Sequence, residues 1–403
     1  MDGNRCFDRH QYLEAIEMYT LMERKSECIN ELTKNFKKPE PFIPKLSFNA
    51  HNKFPCMADV LEIKLNKTFG RHIVATADID VGKTIIVEEC FVTLADKAYQ
   101  NGCFTCLATC GNFIACPKCT SAVYCDESCQ EKDELHRKYC GEVINRLSIQ
   151  MRFVAKSILI ALNLFANAVE MMQFVEHALA RRNQIPEATT DAKSKYATFL
   201  HCKGVRNDCL IVDFVYKVFA SLLNIRSVGK MFNCQKTQRF LMHLVGEHYL
   251  LLSTKMYGGT IFYSPSSSLS LGLMVSMFNH SCAPNVFHSN SGDKDVFIVI
   301  RPVKKGDQLF IQYIQEDLQK SERHVVLKDH FNLKCTCDKC DSQIEVTDRL
   351  AMRSDPCYNQ FEIKTAKNGS SNIDVVIENC EQFLRKYGRL PWSPELNTAL
   401  NVY

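Results

Sequence analysis

The residues of this chain best suited to chemistry are its cysteines, of which there are 21 in 403 residues. Seven of them, with one histidine, recur at short intervals in a single stretch. Two-residue gaps let both thiolates of a knuckle reach one ion, and a three-residue gap places two ligands on one helical face. Because thiolate is a soft ligand, zinc is the expected metal. The spacing predicts two four-ligand zinc sites built from Cys103, Cys106, Cys116, Cys119, Cys125, Cys129, His136 and Cys140.

These two zinc sites are expected to be structural. The protein would supply every ligand, so no coordination position stays open for a reactive water. A chance cluster of free thiols is the alternative, and the regular spacing disfavours it. Cys110 lies at a non-ligand spacing and is left out. The scattered cysteines are interpreted as ordinary small core or surface residues: Cys6, Cys28, Cys56, Cys90, Cys202, Cys209, Cys234, Cys357 and Cys380.

The composition is that of a globular protein, with 46% hydrophobic and 23% charged residues. The length suggests two or three domains. A net charge of +4 without a run of like charges gives no reason to expect direct nucleic-acid binding. The N-terminus lacks the apolar region of a secretory signal, and the most hydrophobic stretches are too short to span a membrane. We therefore expect an intracellular protein whose thiols are reduced.

The residue pattern predicts a β domain interrupted by helices. Alternating or β-branched runs with turns between them are typical of short antiparallel strands, and apolar residues at helical spacing predict helices. A proline-rich linker over 38–44 follows the first helix, and a polar segment over 186–195 joins the two central ones. The predicted strands are 60–65, 73–75, 84–87, 286–288, 296–300 and 308–313, and the predicted helices are 10–36, 142–182, 207–257 and 373–387. Segments near 60–90 and 270–315 are expected to share one domain.

A second constellation is Asn279-His280-Ser281-Cys282-Ala283-Pro284-Asn285. Asparagine and histidine can each donate and accept hydrogen bonds, which suits them to hold a polar ligand. Alone, the stretch is better interpreted as an Asx-type turn before Pro284. Three further motifs change that interpretation by their order along the chain: Gly70-Arg71-His72-Ile73-Val74-Ala75-Thr76, then Gly306-Asp307-Gln308-Leu309-Phe310-Ile311-Gln312-Tyr313, then Cys335-x-Cys337-x2-Cys340.

In this order the motifs resemble the SET domain of protein lysine methyltransferases, and the first cysteine cluster resembles the MYND zinc finger. The chain is similar to the SET- and MYND-domain family over roughly residues 58–342, in the branch of its fourth vertebrate member. The resemblance implies an α+β fold: a split β-rich SET domain with an inserted MYND finger, a helical insertion, a post-SET zinc site and a short helical C-terminus. The implied divisions are 1–57 (N-terminal helix and linker), 58–102 (first SET part), 103–140 (MYND), 141–257 (helical insertion), 258–317 (SET core), 318–345 (post-SET) and 346–403 (C-terminal helical segment).

The resemblance also implies how the ligands and cofactor residues are grouped. Cys103, Cys106, Cys125 and Cys129 would hold one zinc ion, and Cys116, Cys119, His136 and Cys140 the other. Cys282, Cys335, Cys337 and Cys340 would hold a third. Tyr313 would be catalytic, with its hydroxyl beside the transferred methyl group. The implied S-adenosylmethionine-binding residues are Phe69, Gly70, Arg71, His72, Asn279, His280, Tyr313 and Phe331.

The implied activity is transfer of a methyl group from S-adenosylmethionine to a lysine of a histone or non-histone protein. An apolar channel would desolvate the lysine ammonium and favour its neutral form. One alternative is a catalytically weak or inactive scaffold whose finger recruits proline-rich segments of transcriptional regulators. Another is a pair of zinc modules that only stabilise a fold whose function lies in its helices. The expected state is a monomer in the cytoplasm, the nucleus or both.

Three features depart from the family pattern. Many SET domains have a second glycine where this chain has His72, whose bulk would either crowd the cofactor or require the ring to turn away. Asp133-Glu134 stands where an aromatic residue is usual in the finger, so the peptide-docking surface is expected to differ. Only about sixty residues follow Cys340, which predicts a more open substrate cleft or one completed by a partner.

Overall fold

The computed structural model describes residues 44–95, 103–108, 113–119, 122–202, 212–257, 268–314, 318–341, 346–360 and 373–402. The helix predicted over 10–36 and most of the proline-rich linker lie outside the described residues. Both α-helices and β-strands are well represented in the remainder, which confirms the predicted α+β class. Among the described residues, no helix combines the length and the apolar character needed to cross a membrane.

The first half of the β structure begins with a hairpin. Strand β1 (Leu61–Asn66) pairs antiparallel with β2 (Gly70–Ala75), and β3 (Thr84–Glu89) follows. Gly70 has a φ of +64°, a backbone conformation that glycine adopts without the penalty a side chain would bring. The three strands predicted from the β-branched runs are confirmed. The burial of β2 is nearly continuous, because further structure covers it on both faces.

The two β segments of the sequence meet in one sheet system. β3 pairs with β10 (Lys294–Val299), which also pairs with β9 (Val286–Ser291). β4 (Val92–Ala95) pairs with β7 (Ser268–Leu271). The expectation that these distant segments share a domain is therefore confirmed. The β4–β7 pair was not predicted, because the serines of β7 belong to a serine-rich tract that lacks the usual strand composition.

A short parallel pairing joins β8 (Asn279–His280) to β11 (Phe310–Ile311). The strand predicted over 308–313 is thus limited to two residues. Its first part contacts β2 instead, since Leu309 donates its backbone N–H to the Ile73 carbonyl at 2.9 Å. The chain leading into β11 consequently lies between the β1–β2 hairpin and β8, which places three separate segments side by side.

The cysteine-rich stretch forms a small unit between β4 and the central helices. It contains β5 (Ile114–Ala115), β6 (Val123–Tyr124), α1 (Glu127–Lys132) and α2 (Glu134–Tyr139). Its buried core consists mainly of cysteine side chains with Phe113, Ala122 and Tyr124. So few apolar residues supply little hydrophobic stabilisation, and a unit of this size needs another source of stability.

Among its described residues, the central helical region contains a 3₁₀ turn (Val143–Arg146) and six helices. The single helix predicted over 142–182 is wrong in detail, because the chain breaks between Asn163, which ends one helix, and Asn167, whose side chain caps the next. The polar connection predicted over 186–195 is also corrected. It leads into a helix that Asp191 and Ser194 begin with a capping box. The helices are α3 (Ile149–Leu162), α4 (Ala168–Ala180), α5 (Ala192–His201), α6 (Val212–Leu223), α7 (Arg226–Met231) and α8 (Gln235–Tyr257).

Helices also follow the second β segment. They are α9 (Lys320–Phe331), α10 (Asp338–Asp341), α11 (Val346–Arg353), α12 (Ile373–Tyr387) and α13 (Pro394–Val402). The helix predicted over 373–387 is confirmed with the same bounds. Helix α13 was missed, because Pro391 and Pro394 signalled an end rather than a new start. Proline is favoured in a first turn, and the Ser393 hydroxyl accepts from the Leu396 N–H at 3.2 Å.

A fully buried polar cluster joins three of the central helices. The Ser157 hydroxyl donates to the Val154 carbonyl at 2.8 Å, so it accepts from His248 Nδ1, 2.9 Å away. His248 Nε2 is then the acceptor for the Tyr196 hydroxyl at 3.1 Å. Burial lowers the pKa of His248 from 6.5 to about 3, which keeps the ring neutral as this hydrogen-bond pattern requires.

The cluster predicts a specific pH dependence of stability. Because the folded state depresses the pKa of His248, its stabilising contribution is complete above pH 6.5 and is lost as pH falls towards about 3. His248→Gln should reduce the free energy of unfolding by about 2 kcal/mol at pH 7.5. The difference from wild type should shrink by pH 5, as measured by thermal unfolding. His243→Gln, at an exposed position of the same helix, is the control. An equal deficit at both pH values would contradict the neutral-ring assignment.

Candidate active site and metal centres

Three groups of four cysteine or histidine ligands are brought together by the fold. In each group the ligand atoms all lie within 4.8 Å of one another. The groups are Cys103, Cys106, Cys125 and Cys129; Cys116, Cys119, His136 and Cys140; and Cys282, Cys335, Cys337 and Cys340. Each group matches one of the sets implied by the family resemblance, including the crosswise pairing in the finger. The fold therefore contains three sites capable of holding zinc.

The distances within these groups fit tetrahedral coordination. A Zn–S bond of about 2.3 Å places two sulfurs about 3.8 Å apart around a tetrahedral ion, and a sulfur and a nitrogen about 3.6 Å apart. Cys106 and Cys125 have their Sγ atoms 3.7 Å apart, and so do Cys116 and Cys140. Cys119 Sγ lies 3.5 Å from His136 Nε2. A disulfide requires about 2.0 Å, so these separations suit a shared ion and not a covalent bond.

Two aspartates place ligands of the finger on its helices. Asp126 caps α1 by accepting from the backbone N–H of Cys129 at 2.7 Å. Asp133 caps α2 and accepts from the His136 N–H at 2.9 Å. The Asp133 side chain also lies 3.3 Å from the Tyr124 hydroxyl, which donates to it. Asp133 thus has a structural role that the family resemblance did not predict, and its position just before a helix was the detectable signal.

A large cavity opens beside the third ligand group. Its volume is about 890 Å³, and its walls come from the β1–β2 turn, β8, β11, the end of α9 and the stretch 388–389 before α13. Seven of the eight residues assigned to S-adenosylmethionine by the resemblance line it: Phe69, Gly70, Arg71, Asn279, His280, Tyr313 and Phe331. Segments from four parts of the sequence therefore converge on one site.

The eighth residue, His72, has its ring turned away from the cavity. Its side chain is buried, its Nδ1 lies 3.0 Å from the Gly70 carbonyl oxygen, and its ring meets that of Phe69 edge-on at 5.6 Å. Of the two arrangements expected for His72, the structure shows the one in which the ring turns away from the space of the cofactor. The ring supports the turn that carries Phe69 and Gly70 without occupying the space of a ligand.

The cavity wall is held by hydrogen bonds between its three β segments. The Asn279 amide donates to the Phe69 carbonyl at 3.0 Å, which ties β8 to the hairpin turn. Asn285 bridges Gln308 and the first residue of β11. Its side chain donates to the Gln308 carbonyl at 2.9 Å and accepts from the Phe310 N–H at 2.8 Å. Asn285 was quoted within the sequence motif but received no role there. Its two-sided contact explains why the segment needs an amide.

His280 connects the cavity to the third ligand group. Its Nδ1 accepts from the Tyr313 backbone N–H at 3.0 Å, and burial lowers its pKa to about 4. A neutral ring that accepts at Nδ1 carries its proton on Nε2. That nitrogen lies 3.2 Å from Cys282 Sγ and donates to it. A partner of this kind orients a metal ligand and stabilises its thiolate.

Tyr313 is fixed at the cavity wall by both its backbone and its side chain. Its hydroxyl donates to the Phe278 carbonyl, and its ring packs against those of His280 and Phe331 at 5.3 and 4.9 Å. Desolvation by this packing raises the pKa of Tyr313 above its ordinary value. The side chain is therefore a neutral phenol whose oxygen lone pairs are available to accept a hydrogen bond.

The C-terminal segment closes one side of the cavity, which the sequence did not predict. Arg301 donates to the carbonyls of Gly388 and Leu390 at 2.6 and 2.8 Å and forms an ion pair with Asp338 at 3.2 Å. Arg389 pairs with Asp307 at 2.7 Å. The segment after Cys340 thus reaches the wall of this cavity, whereas the expectation of a more open substrate cleft stays a prediction. No sequence motif marks Arg301.

Comparison with known proteins gives this architecture its family. The SET domain family model matches residues 70–314, which is more than half of the chain. The chain belongs to the SET-domain family. Its curated relatives include a SET and MYND domain-containing protein of Dictyostelium discoideum, 22% identical over 72% of this chain and 84% of the relative. The family resemblance inferred from the sequence is confirmed, whereas the assignment to one branch stays a prediction.

Two further relatives carry functional names. N-lysine methyltransferase SMYD2-A of Xenopus laevis is 23% identical over 79% of this chain and 73% of the relative. N-lysine methyltransferase SMYD2 of Mus musculus is 24% identical over 68% of this chain and 58% of the relative. Among solved structures, the SET domain of LSMT bound to lysine and AdoHcy covers 79% of this chain at 12% identity, with a TM-score of 0.35. That score is too low to support an inference about the site.

Proposed function

We propose that this protein is an S-adenosylmethionine-dependent protein-lysine N-methyltransferase that acts on a histone or non-histone protein. The observation that carries the proposal is the convergence of Asn279, His280 and Tyr313 on one cavity, next to the Phe69–Gly70 turn. The names of the curated relatives support it, because several are N-lysine methyltransferases. The volume of about 890 Å³ is in the range of pockets that bury a cofactor-sized molecule.

The residues around the cavity suit the proposed cofactor chemically. Backbone and amide groups near Phe69 and Asn279 offer donors and acceptors for the polar parts of the molecule. Phe331 offers an aromatic face for its adenine. When bound, S-adenosylmethionine supplies an electrophilic methyl group on a sulfonium. In this proposal the eight cofactor residues hold and orient the molecule, with His72 acting from behind the turn.

Tyr313 is the proposed catalytic residue, with a positioning and polarising role. Its hydroxyl hydrogen is directed to the Phe278 carbonyl, so its oxygen presents lone pairs that can accept a hydrogen bond from the substrate amine. Its raised pKa excludes service as a phenolate base near neutral pH. Free lysine has a pKa of about 10.4, so desolvation in the cavity must favour the neutral amine. Alignment of the reacting groups would provide most of the rate enhancement.

We propose that each of the three ligand groups holds one zinc ion in a structural role. Four protein ligands fill a tetrahedral shell and leave no position for a reactive water. The third group would connect the post-SET segment to the Asn279–His280 strand through Cys282. Zinc would therefore stabilise the cavity wall without taking part in methyl transfer.

The remaining expectations about organisation and partners stay proposals. They are the division into the seven segments with the finger and helices as insertions, a monomeric state, no direct nucleic-acid binding, and recruitment of proline-rich segments of transcriptional regulators by the finger. The expected compartments are the cytoplasm and the nucleus. Glu134 follows Asp133 where an aromatic residue is usual in the finger, so the peptide-docking surface is expected to differ from that of the family.

Substitution of Tyr313 tests the enzymatic proposal. Tyr313→Phe should reduce kcat roughly 100-fold, because it removes one oriented polar contact at the reacting amine. Its affinity for S-adenosylmethionine should change little, since the ring stays in place. The measurement is transfer of labelled methyl groups to protein in a lysate depleted of endogenous methylation. Tyr216→Phe, at an exposed tyrosine of α6, is the matched control.

Two results would speak against the enzyme. Zinc-loaded wild type that neither binds S-adenosylmethionine nor transfers a methyl group would exclude it. Capture of a proline-rich partner that persists in Tyr313→Phe but is lost in Cys103→Ser would favour the scaffold.

Zinc content tests the third metal site. Purified wild type should contain close to three zinc ions per chain by elemental analysis, a count that follows from three four-ligand groups. Cys282→Ser should lower the count towards two and also weaken cofactor binding, because His280 loses the thiolate it contacts. Cys234→Ser, at an exposed cysteine of the helical region, should retain three. A wild-type count near two would leave the third group without its ion.

A further inference from the structure

Two carboxylates lie buried behind the cavity wall, outside the proposed cofactor site. Glu88 on β3 and Asp295 on β10 are 4% and 3% exposed, and the strand register places them directly opposite each other. Like charges opposed across a sheet destabilise it, and buried carboxylates lose the hydration that stabilises their charge. A carboxylate pair in this position needs hydrogen bonds or opposite charges to stabilise it. The groups that supply these contacts indicate the role of the pair.

The compensating contacts are backbone N–H groups of one short segment. Asp295 Oδ2 accepts from the Gly272 N–H at 3.0 Å, and Glu88 Oε2 accepts from the Met274 N–H at 2.8 Å. Gly272 lies so close to the pair that a Cβ there would be 2.2 Å from Asp295 Oδ2 and 2.6 Å from Glu88 Oε2. The glycine is therefore required for the backbone to approach the carboxylates.

The anchored segment leads directly into the cavity wall. After Gly272 it forms a 3₁₀ turn (Met274–Met277), reaches Phe278, whose carbonyl accepts from the Tyr313 hydroxyl, and continues as β8. Strand β10 also holds the far end of this segment. Phe297, on the same face as Asp295, stacks on the Phe278 ring at 4.8 Å with an angle of 5°. The segment is thus held at both ends by neighbouring residues of one strand.

We propose that Glu88 and Asp295 are positioning residues that fix the segment leading into the Asn279–His280 strand. In doing so they set the place of the Phe278 carbonyl and of the Tyr313 hydroxyl that donates to it. Neither carboxylate lines the cavity, so their effect on a ligand is indirect. The part of this inference that concerns cofactor binding rests on the proposed function, whereas the anchoring of the segment does not.

The groups around the two carboxylates predict that the anchoring of the segment depends on pH. Burial raises the pKa of Glu88 to about 8 against the opposing effect of the Met274 N–H; the charge of Asp295 adds to the rise, and the Leu273 N–H and Lys195 of α5 oppose it. Burial would raise the pKa of Asp295 too, but His288 of β9, Asn290 and Cys90 outweigh it and lower that pKa. Cys56, before β1, also faces Glu88. Near neutral pH the pair therefore carries one charge, on Asp295.

The sign of the effect follows from the raised pKa. Protonated Glu88 stabilises the fold fully below the unfolded pKa of 4.5, and this contribution is lost as pH rises through about 8. Ionisation there places a second charge beside Asp295 and should loosen the anchor. Glutamine matches the neutral carboxyl in shape and retains an oxygen that accepts from Met274, so Glu88→Gln mimics the low-pH form at every pH.

The test compares Glu88→Leu, Glu88→Gln and the control Glu89→Gln, at the adjacent exposed glutamate that pairs with Lys195 at 3.7 Å. Hydrogen exchange of residues 272–280 should accelerate at least tenfold in Glu88→Leu, with exchange of the β1–β2 hairpin unchanged. Glu88→Gln should exchange like wild type at pH 7. Leucine keeps apolar bulk at this position but offers no acceptor to the Met274 N–H, so loss of the anchor should loosen this segment first. Unchanged exchange of 272–280 in Glu88→Leu would overturn the proposal.

Cofactor affinity adds the second readout. S-adenosylmethionine binding should weaken at least tenfold in Glu88→Leu, and Glu88→Gln should restore it to within about twofold of wild type. The affinity of Glu88→Gln for S-adenosylmethionine, divided by that of wild type, should rise about threefold between pH 7 and pH 9. Both proteins bind the same cofactor, so any effect of its own ionisation cancels in this ratio. Wild-type affinity in Glu88→Leu, or a ratio independent of pH, would contradict the proposal.

Two safeguards keep these outcomes distinct. If Glu88→Leu does not fold, Gly272→Ala serves in its place, because its Cβ would displace the segment from the carboxylates. If wild type binds no cofactor, the proposed function fails, and the exchange experiment alone decides whether the pair anchors the segment.

Discussion

A parallel pairing of only two residues on each side, Asn279–His280 with Phe310–Ile311, is the constraint on which the site depends. A ladder this short makes few hydrogen bonds of its own and cannot hold two distant segments together unaided. Hydrogen bonds from neighbouring residues supply the additional stabilisation that the two strands need. Asn285 clamps one side, His280 accepts from the Tyr313 backbone, and the Tyr313 hydroxyl donates to Phe278. The cavity exists because these contacts keep the two strands adjacent to the hairpin turn.

The metal-capable groups act on this constraint from different distances. The third group includes Cys282, two residues after β8, so an ion there would fix the strand and the post-SET segment to each other. The two groups of the finger lie in a separate small core and contribute no residue to the cavity. Metal binding is thus expected to affect the chemistry mainly through the third group. The buried carboxylates that accept from Gly272 and Met274 hold the segment that leads into the same strand.

Much of this arrangement could be predicted from the sequence, because several signals are local. Cysteine spacing identified the eight candidate ligands of the finger, the family resemblance added the four of the third group, and β-branched runs located the hairpin and the β9–β10 pair. The family resemblance placed Tyr313 and Phe331 near Asn279, although they are far apart in the chain. Predictions failed where tertiary contacts decide the outcome. Serines form β7 because β4 offers a partner, and the strand at 308–313 is short because its first residues contact β2 instead.

The roles of Glu88 and Arg301 also escaped prediction, since each depends on an N–H or a carbonyl contributed by a distant segment. Such residues carry no motif, and only the assembled fold reveals what they contact.

The central claim is that the space enclosed by the hairpin turn, β8 and Tyr313 is a cofactor site. A crystal structure of the zinc-loaded protein with saturating S-adenosylhomocysteine, the demethylated product of the proposed cofactor, tests it most directly. The account predicts one bound molecule per chain within the 890 Å³ cavity, in contact with Asn279 and His280 and beside the Tyr313 hydroxyl. A cavity that remains empty at saturation, or a molecule bound elsewhere on the protein, would contradict it.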